Sequence, residues 1–466
     1  MNTPLIKGLL EYSDKKSVRF HMPGHKGRAI YDLAKFIPDI DVTEVEGTDN
    51  LHNPKGVINE SQKRASNIYG TRKTFYSVNG TTAGIYAAIT SSVKPGEEIL
   101  IQRNCHKSIY NSLVIGRIKG NFIYPKYDSK NNILTVIDPN ELNDILNENK
   151  NIKAVVMTYP SYLGICSDIK TIVDVVHKYG KILIVDEAHG SHLEFSNNLP
   201  ISAESAGADI IVQSTHKTLP SYTQSSMVHV NSDRVDIDRL SKMMSMFQST
   251  SPSYILMSSL DMAMGYMINE GKNRLEKILN YIDEFISKVD NLEGINLFLG
   301  DRKYSFDKTK IVINATELGL RGSDLENILR KNYNIELEMS DLFYALAMVS
   351  VMNTEEDLDK LYLALKDISN THCKKKLKIK EDVKFLHPIK HIEIYEAFNE
   401  NSKFENLDDA IGEIATDYII PYPPGVPIIA PGEILSKNII NHIKKFIDAD
   451  IEILGLNNNK INIIDK

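Results

Sequence analysis

Short apolar runs with polar tips recur through the first half of the chain. Thr74–Val78, Glu98–Gln102, Lys153–Thr158, Lys181–Asp186 and Ala208–Val212 are each rich in Ile, Val, Leu or aromatic residues and are followed by a polar stretch. Between them lie segments of helical spacing: Glu60 to about Tyr69, an Ala-rich stretch after Gly80, a stretch ending near Tyr179, and a short piece before Ala208. Brief apolar strands alternating with helices predict a mainly parallel sheet covered on both faces, an α/β fold. In such sheets ligands sit beyond the C-terminal ends of the strands, which is where the polar tips fall.

The pattern changes further on. Residues 218–230 read as a loop returning into a strand, and a hydroxyl-rich connection (247–254) leads into one long helix from about Ser253 to Val289. Strand and helix patterns alternate from 295 to 370, consistent with a smaller α+β unit. Lys374–Lys380 forms a basic link, read as solvated. A final unit contains Ile419–Glu433, whose five prolines force an extended, turning path.

Composition narrows the function classes. The chain has 466 residues, 42% hydrophobic and 25% charged, enough for two or three domains. A net charge of −7 gives no reason to expect nucleic acid or a membrane surface as partner. No apolar stretch reaches membrane-spanning length and no signal peptide is evident. Cys105, Cys166 and Cys373 are scattered without CxxC spacing, which fits structural thiols in a reducing cytoplasm and no metal site. Neither GxGxxG nor GxxxxGK[ST] occurs, which disfavours dinucleotide and P-loop nucleotide sites.

The candidate chemistry lies at the strand ends. Ser214-Thr215-His216-Lys217 follows the 208–212 strand directly, and a lysine held there and partly desolvated is a candidate nucleophile. Asp186 ends another strand about thirty residues earlier. A carboxylate and a lysine so placed can flank one pyridoxal phosphate, with Asp186 on the ring nitrogen and Lys217 on the aldehyde carbon. Asn79-Gly80-Thr81-Thr82 opens a helix, where backbone N–H groups and hydroxyls suit a phosphate. His106 sits at a strand tip, where its ring is placed to stack on a planar cofactor. Phe20–Arg28 is rich in turn residues and reads as a solvated surface loop. Glu44, Glu46 and Asp49 lie in an acidic, irregular stretch, either attracting a cationic substrate or simply solvated.

In order along the chain stand PheHisMetProGlyHisLysGly (20–27), GluGlyThrAspAsnLeuHis (46–52), AsnGlyThrThr (79–82), AsnCysHisLysSer (104–108), ValAspGluAlaHisGly (185–190), SerThrHisLys (214–217) and TyrProProGlyValProIleIleAlaProGlyGlu (422–433). This series resembles the ornithine/lysine/arginine decarboxylases of the fold type I (aspartate aminotransferase-like) pyridoxal-phosphate enzymes, in a short form without their N-terminal wing domain. The resemblance implies an N-terminal segment (1–35), a cofactor-binding large domain (36–270), a small α+β domain (271–372) and a C-terminal decarboxylase-type domain (373–466).

It also implies roles for particular residues. Lys217 would form the Schiff base and His106 would stack on the ring. Asp186 would pair with the ring nitrogen, and Thr81, Thr82 and Ser214 would hold the phosphate, with Gly80 permitting the turn. His189 and His216 are further site residues, and either Lys217 or His216 would return a proton to the substrate. Ser249 or Thr250 would reach a neighbouring subunit's phosphate, implying a homodimer with shared sites. The expected reaction is decarboxylation of arginine or lysine, as in polyamine synthesis, with ornithine as a third possible substrate. Glu46, Asp49, Glu336 and Glu338 are the candidate partners of the substrate's distal cation. Alternative readings are another fold type I reaction, such as an aminotransferase or aldolase, and a non-catalytic regulatory paralogue.

Overall fold

The computed structural model describes residues 3–30, 33–301, 303–372, 386–421, 426–448 and 451–465. The basic link at 374–380, Cys373 and Tyr422–Gly425 of the proline-rich run lie outside the described residues.

Seven strands form the central sheet: β1 (Lys73–Ser77), β2 (Glu98–Gln102), β3 (Lys119–Ile123), β4 (Ile152–Thr158), β5 (Ile182–Asp186), β6 (Ile210–Gln213) and β7 (Ser226–Val230). Their spatial order is β1-β7-β6-β5-β4-β2-β3. Six run parallel, and β7 is antiparallel to both its neighbours. The reversal has a local cause. Between β6 and β7 the chain makes only a four-residue helix, Thr215–Thr218, instead of the long crossover that a parallel return requires.

The strands separate two cores by simple alternation. Leu100, Val155, Leu183, Val185 and Ile211 pack on one face, and Ile99, Ile101, Val156, Ile184 and Val212 on the other. The second face carries α1 (Gly80–Ser92) and α2 (Lys107–Gly116). On the first face lies α3 (Ile169–Lys178), which buries Ile169, Ile172, Val173 and Val176 along one stripe. Asp168 caps α3 by accepting the Thr171 N–H at 3.2 Å.

The long helix expected from Ser253 to Val289 is a continuous path in three parts: α4 (Tyr254–Tyr266), a π-helical turn (Met267–Gly271) and α5 (Lys272–Val289). It leads to a four-stranded antiparallel sheet made of β8 (Asn296–Phe298), β9 (Lys310–Asn314), β10 (Met339–Ser340) and β11 (Tyr344–Met348), in the order β8-β9-β11-β10. Helices α6 (Gly322–Tyr333) and α7 (Glu355–His372) accompany it. The N-terminal strand Val18–Phe20 joins this unit by pairing parallel with Ile335–Leu337. The C-terminal unit has its own small core, including Ile419, Ile429, Leu435, Ile440 and Ile461. It is tied to the end of β2 by a buried Arg103–Glu433 ion pair of 2.8 Å.

Candidate active site

Lys217 stands on the turn after β6, with its ammonium nitrogen 3.1 Å from His189 Nε2. Burial lowers its pKa, while the Asp186 and Glu338 carboxylates draw it back up and Lys310 pushes it down again. Asp186, the last residue of β5, is buried and accepts the Ala188 N–H at 3.1 Å. Burial raises its pKa and Lys217 opposes the rise. His189 is held neutral by burial and by the neighbouring Lys217 cation. Its ring meets Tyr162 edge-on at 4.6 Å, and its buried Nδ1 has no hydrogen-bond partner. If Nε2 accepts from Lys217, Nδ1 carries the proton and is a donor without an acceptor.

The strand read over Glu98–Gln102 ends there, and beyond it the chain turns so that His106 caps α2. His106 Nδ1 faces the Ser108 N–H and Oγ at 3.2 and 2.9 Å, which fixes the orientation of the ring, and the residue is exposed. Burial of part of the ring, with Lys217 and Lys107 nearby, pushes its pKa down to about 4. Across the site, Gly80 takes a φ of +74°, a left-handed conformation that costs glycine little. That turn starts α1 and presents its free N–H groups. Thr81 Oγ1 bonds the Ser214 and Ser226 hydroxyls, the latter at 3.2 Å. Thr82 is exposed in the first turn of the helix.

Lys217, Asp186, His189, His106, Gly80, Thr81, Thr82 and Ser214 therefore all lie on the turns and helix starts that follow the C-terminal ends of the parallel strands. His216 points elsewhere: its Nδ1 donates to Ser225 O at 2.8 Å, and burial pushes its pKa down to about 4. Ser249 and Thr250 are exposed, with Ser249 O accepting from His52 Nε2 at 2.8 Å.

Two expectations are corrected. The 20–28 stretch is not a solvated loop. Gly24 donates its N–H to His216 O at 2.6 Å, and a Cβ there would lie 2.4 Å from Leu219 O, so only glycine lets the loop press on the lysine turn. Lys26 is buried, donates to His21 O and Met348 O at 2.7 and 3.0 Å, and has its pKa lowered to about 7 by burial. Ser350 Oγ donates to Gly24 O at 2.6 Å, so the loop straps the smaller unit to the turn that carries Lys217.

The second correction concerns the acidic candidates. Asp49 is occupied as a cap: it accepts the N–H groups of Asn50, Lys55, Gly56, Ile58 and Asn59 around the start of the helix Val57–Ile68. These bonds outweigh burial and lower its pKa. Glu46 is exposed, and Glu336 pairs with Arg330 at 2.8 Å. Glu338 alone of the four acts on Lys217. Its carboxylate is oriented by the Met22 N–H at 2.8 Å and the Tyr162 hydroxyl at 2.6 Å. Tyr162 and Lys310 come from remote segments and carry no local motif, and Lys26, within the 20–27 motif, carries no local sign that it is buried.

The donor set fits pyridoxal phosphate. A buried carboxylate, a lysine with lowered pKa, an oriented imidazole, and a hydroxyl cluster at the start of a 13-residue helix match its ring nitrogen, aldehyde, ring face and phosphate in turn. The buried His189 Nδ1 is a further group awaiting a partner.

Solved structures place the fold in the same class. The lysine decarboxylase LdcF of Francisella novicida superposes with a TM-score of 0.80 at 20% identity, over 95% of this chain and 77% of that one. The ureidoglycine-glyoxylate aminotransferase of Bacillus subtilis superposes with a TM-score of 0.59 at 14% identity, over 78% of this chain and 96% of that one. The fold is that of the fold type I pyridoxal-phosphate enzymes.

Sequence comparison is more specific. Residues 3–301 match the family described as Orn/Lys/Arg decarboxylase, major domain, and residues 389–459 match its C-terminal domain. A protein named arginine decarboxylase from Bacillus subtilis (strain 168) is 35% identical over 480 residues, covering 99% of this chain and 97% of that protein. The chain belongs to the Orn/Lys/Arg decarboxylase family.

Proposed function

We propose that this protein is a pyridoxal-phosphate-dependent decarboxylase of a basic amino acid, acting on arginine in preference to lysine. The observation that carries the proposal is the meeting of Lys217, His189 and Asp186 beside the Thr81/Ser214 hydroxyls. The preference for arginine follows the name of the 35% identical relative. When bound, the cofactor supplies an electron sink that accepts the bonding pair as CO₂ leaves.

The chain's own residues prepare that event. Asp186, facing the ring nitrogen, would hold a proton on it. The Lys217 amine would hold the aldehyde carbon. His106 would lie against the ring, and Thr81, Thr82, Ser214 and the start of α1 would hold the phosphate. Lys217 then returns a proton to the substrate's α-carbon, with His189 setting the direction of its amine. His216, neutral and turned to Ser225, is the poorer proton donor, and it steadies the turn through its carbonyl bond to Gly24. Glu338 is the best-placed carboxylate for the substrate's distal cation.

The exposed Ser249–Thr250 turn fits a homodimer in which it reaches a second copy's phosphate site. The free, buried thiols of Cys105 and Cys166 fit a reducing cytoplasm. A polyamine-forming role follows from the product, a basic amine. An aminotransferase reading is less well supported, because the family match extends over the C-terminal unit.

Absorbance spectroscopy tests the cofactor assignment. Protein incubated with pyridoxal phosphate should develop a visible band at about 420 nm that Lys217→Ala abolishes. A band that survives the substitution unchanged would overturn the assignment of Lys217.

A further inference from the structure

Directly behind the candidate site, on the opposite face of the same strand ends, lie two acids that the proposed reaction does not use. Glu187 and Glu204 are 0% and 4% exposed. The Gln213 side-chain amide donates to both, at 2.7 Å to Glu187 Oε2 and 2.6 Å to Glu204 Oε1. The Ala203 N–H donates to the other Glu187 oxygen at 2.8 Å. Both carboxyl groups thus converge on one amide nitrogen, and Glu204 Oε2 is buried with no hydrogen-bond partner among the described residues. Ionised carboxylates only accept, so neither can satisfy the other without a proton on one of them.

Among the described residues no cation faces the pair. With its amide nitrogen facing the acids, Gln213 has only its carbonyl for His229, 3.2 Å from Nε2. Nε2 therefore carries the ring proton, and Nδ1 accepts from the Thr74 hydroxyl at 2.8 Å. Burial pushes the His229 pKa down to about 3, so the ring stands neutral 3.9 Å from Glu204. The other titratable groups acting with the pair are Tyr69, Tyr159, Cys166 and Glu194, none of them a cation. Two negative charges buried here would have hydrogen bonds but no counter-ion to offset their mutual repulsion.

We propose that Glu187 and Glu204 share one proton at neutral pH, and that this protonated pair is a positioning element for the cofactor site, one that loosens as pH rises. Its leverage is covalent and short. Glu187 directly follows Asp186, and Gln213 directly precedes Ser214. Clamping the pair to Gln213 therefore fixes the backbone from which both proposed cofactor contacts spring. The positioning role rests on the proposed cofactor chemistry, whereas the shared proton does not.

The sign follows from the protonation states. Burial and the neighbouring acid raise the Glu187 pKa well above the usual carboxylate range, and burial pushes Glu204 up to about 7. In the unfolded chain both acids ionise near pH 4.5, while the folded pair keeps one proton. Stability from the pair is therefore greatest on the acid side and declines as pH rises from there through neutrality.

Infrared spectroscopy of the full chain in D₂O tests the shared proton. The wild type should show a protonated-carboxyl C=O band at neutral pH that fades as the pH is raised and is missing from Glu204→Gln. A wild type without that band at pH 6 to 7 would overturn the proposal, and this titration decides the matter even if the variant does not fold. Cofactor retention tests the positioning role. Between pH 6 and 9 the wild type should lose affinity for pyridoxal phosphate by about tenfold more than Glu204→Gln, one pKa unit of coupling. Parallel profiles would overturn the positioning role. Failure to bind pyridoxal phosphate at any pH would sink the proposed function and the positioning role together, leaving the infrared band to judge the shared proton alone.

Discussion

Asp186 and Glu187 are neighbours in sequence and equally buried, yet they live in opposite electrostatic worlds. The pleat of β5 continues the row of Ile184 to Asp186, on the face of α1 and Lys217. It continues the row of Leu183 and Val185 to Glu187, where an amide and a second acid wait. Facing a cation, Asp186 is drawn toward its charged form in spite of burial. Facing Glu204, the next residue is pushed further toward its protonated form, by burial and by the second acid together. Burial raises the pKa of both carboxyl groups, so burial alone does not distinguish them. The partner across the gap opposes the rise in one and adds to it in the other, and alternation along the strand chooses the partner.

The comparison breaks most visibly at Asp186. Asp186→Asn should retain the cofactor but lower turnover by about a thousandfold, the scale of losing a preorganised charge at a developing anion. Steady-state CO₂ release checks this, and near-normal turnover would mean that another carboxylate serves the ring nitrogen.

A smaller effect is expected where a carboxylate meets the substrate rather than the cofactor. Glu338→Gln should raise KM for arginine by about tenfold to a hundredfold, the loss of one charged hydrogen bond, with a lesser change in kcat. An unchanged KM would place the distal cation elsewhere. The mildest effect at neutral pH belongs to Glu204→Gln, whose mark lies in the pH dependence of cofactor retention.

What the sequence discloses follows the range of the interactions. Strand ends are local, so Asp186, Lys217, Ser214 and the Gly80-Thr81-Thr82 turn were visible as polar tips on apolar runs. The sheet followed from the same alternation. The antiparallel return of β7 was not anticipated, since it depends on the absence of a crossover helix and not on any property of its own residues. Asp49 stands among four candidates in the sequence because an acidic side chain looks the same whether it is solvated, binding a substrate or receiving five N–H donors. The 20–28 loop read as solvent-exposed because turn residues and charges usually are. Its burial comes from Met348, Ser350 and the 216–219 backbone, contacts between segments about two hundred to three hundred residues apart. Glu338 could be named as a candidate but not chosen, because its distinction from Glu336 is the direction in which each points. Glu187 and Glu204 drew no notice, since nothing local marks a shared proton.

The most direct test is CO₂ release by cofactor-loaded protein from arginine, lysine and ornithine, measured side by side. Release from arginine, exceeding that from lysine and ornithine, is the predicted result. Protein that has bound pyridoxal phosphate through Lys217 yet releases CO₂ from none of the three would contradict the account.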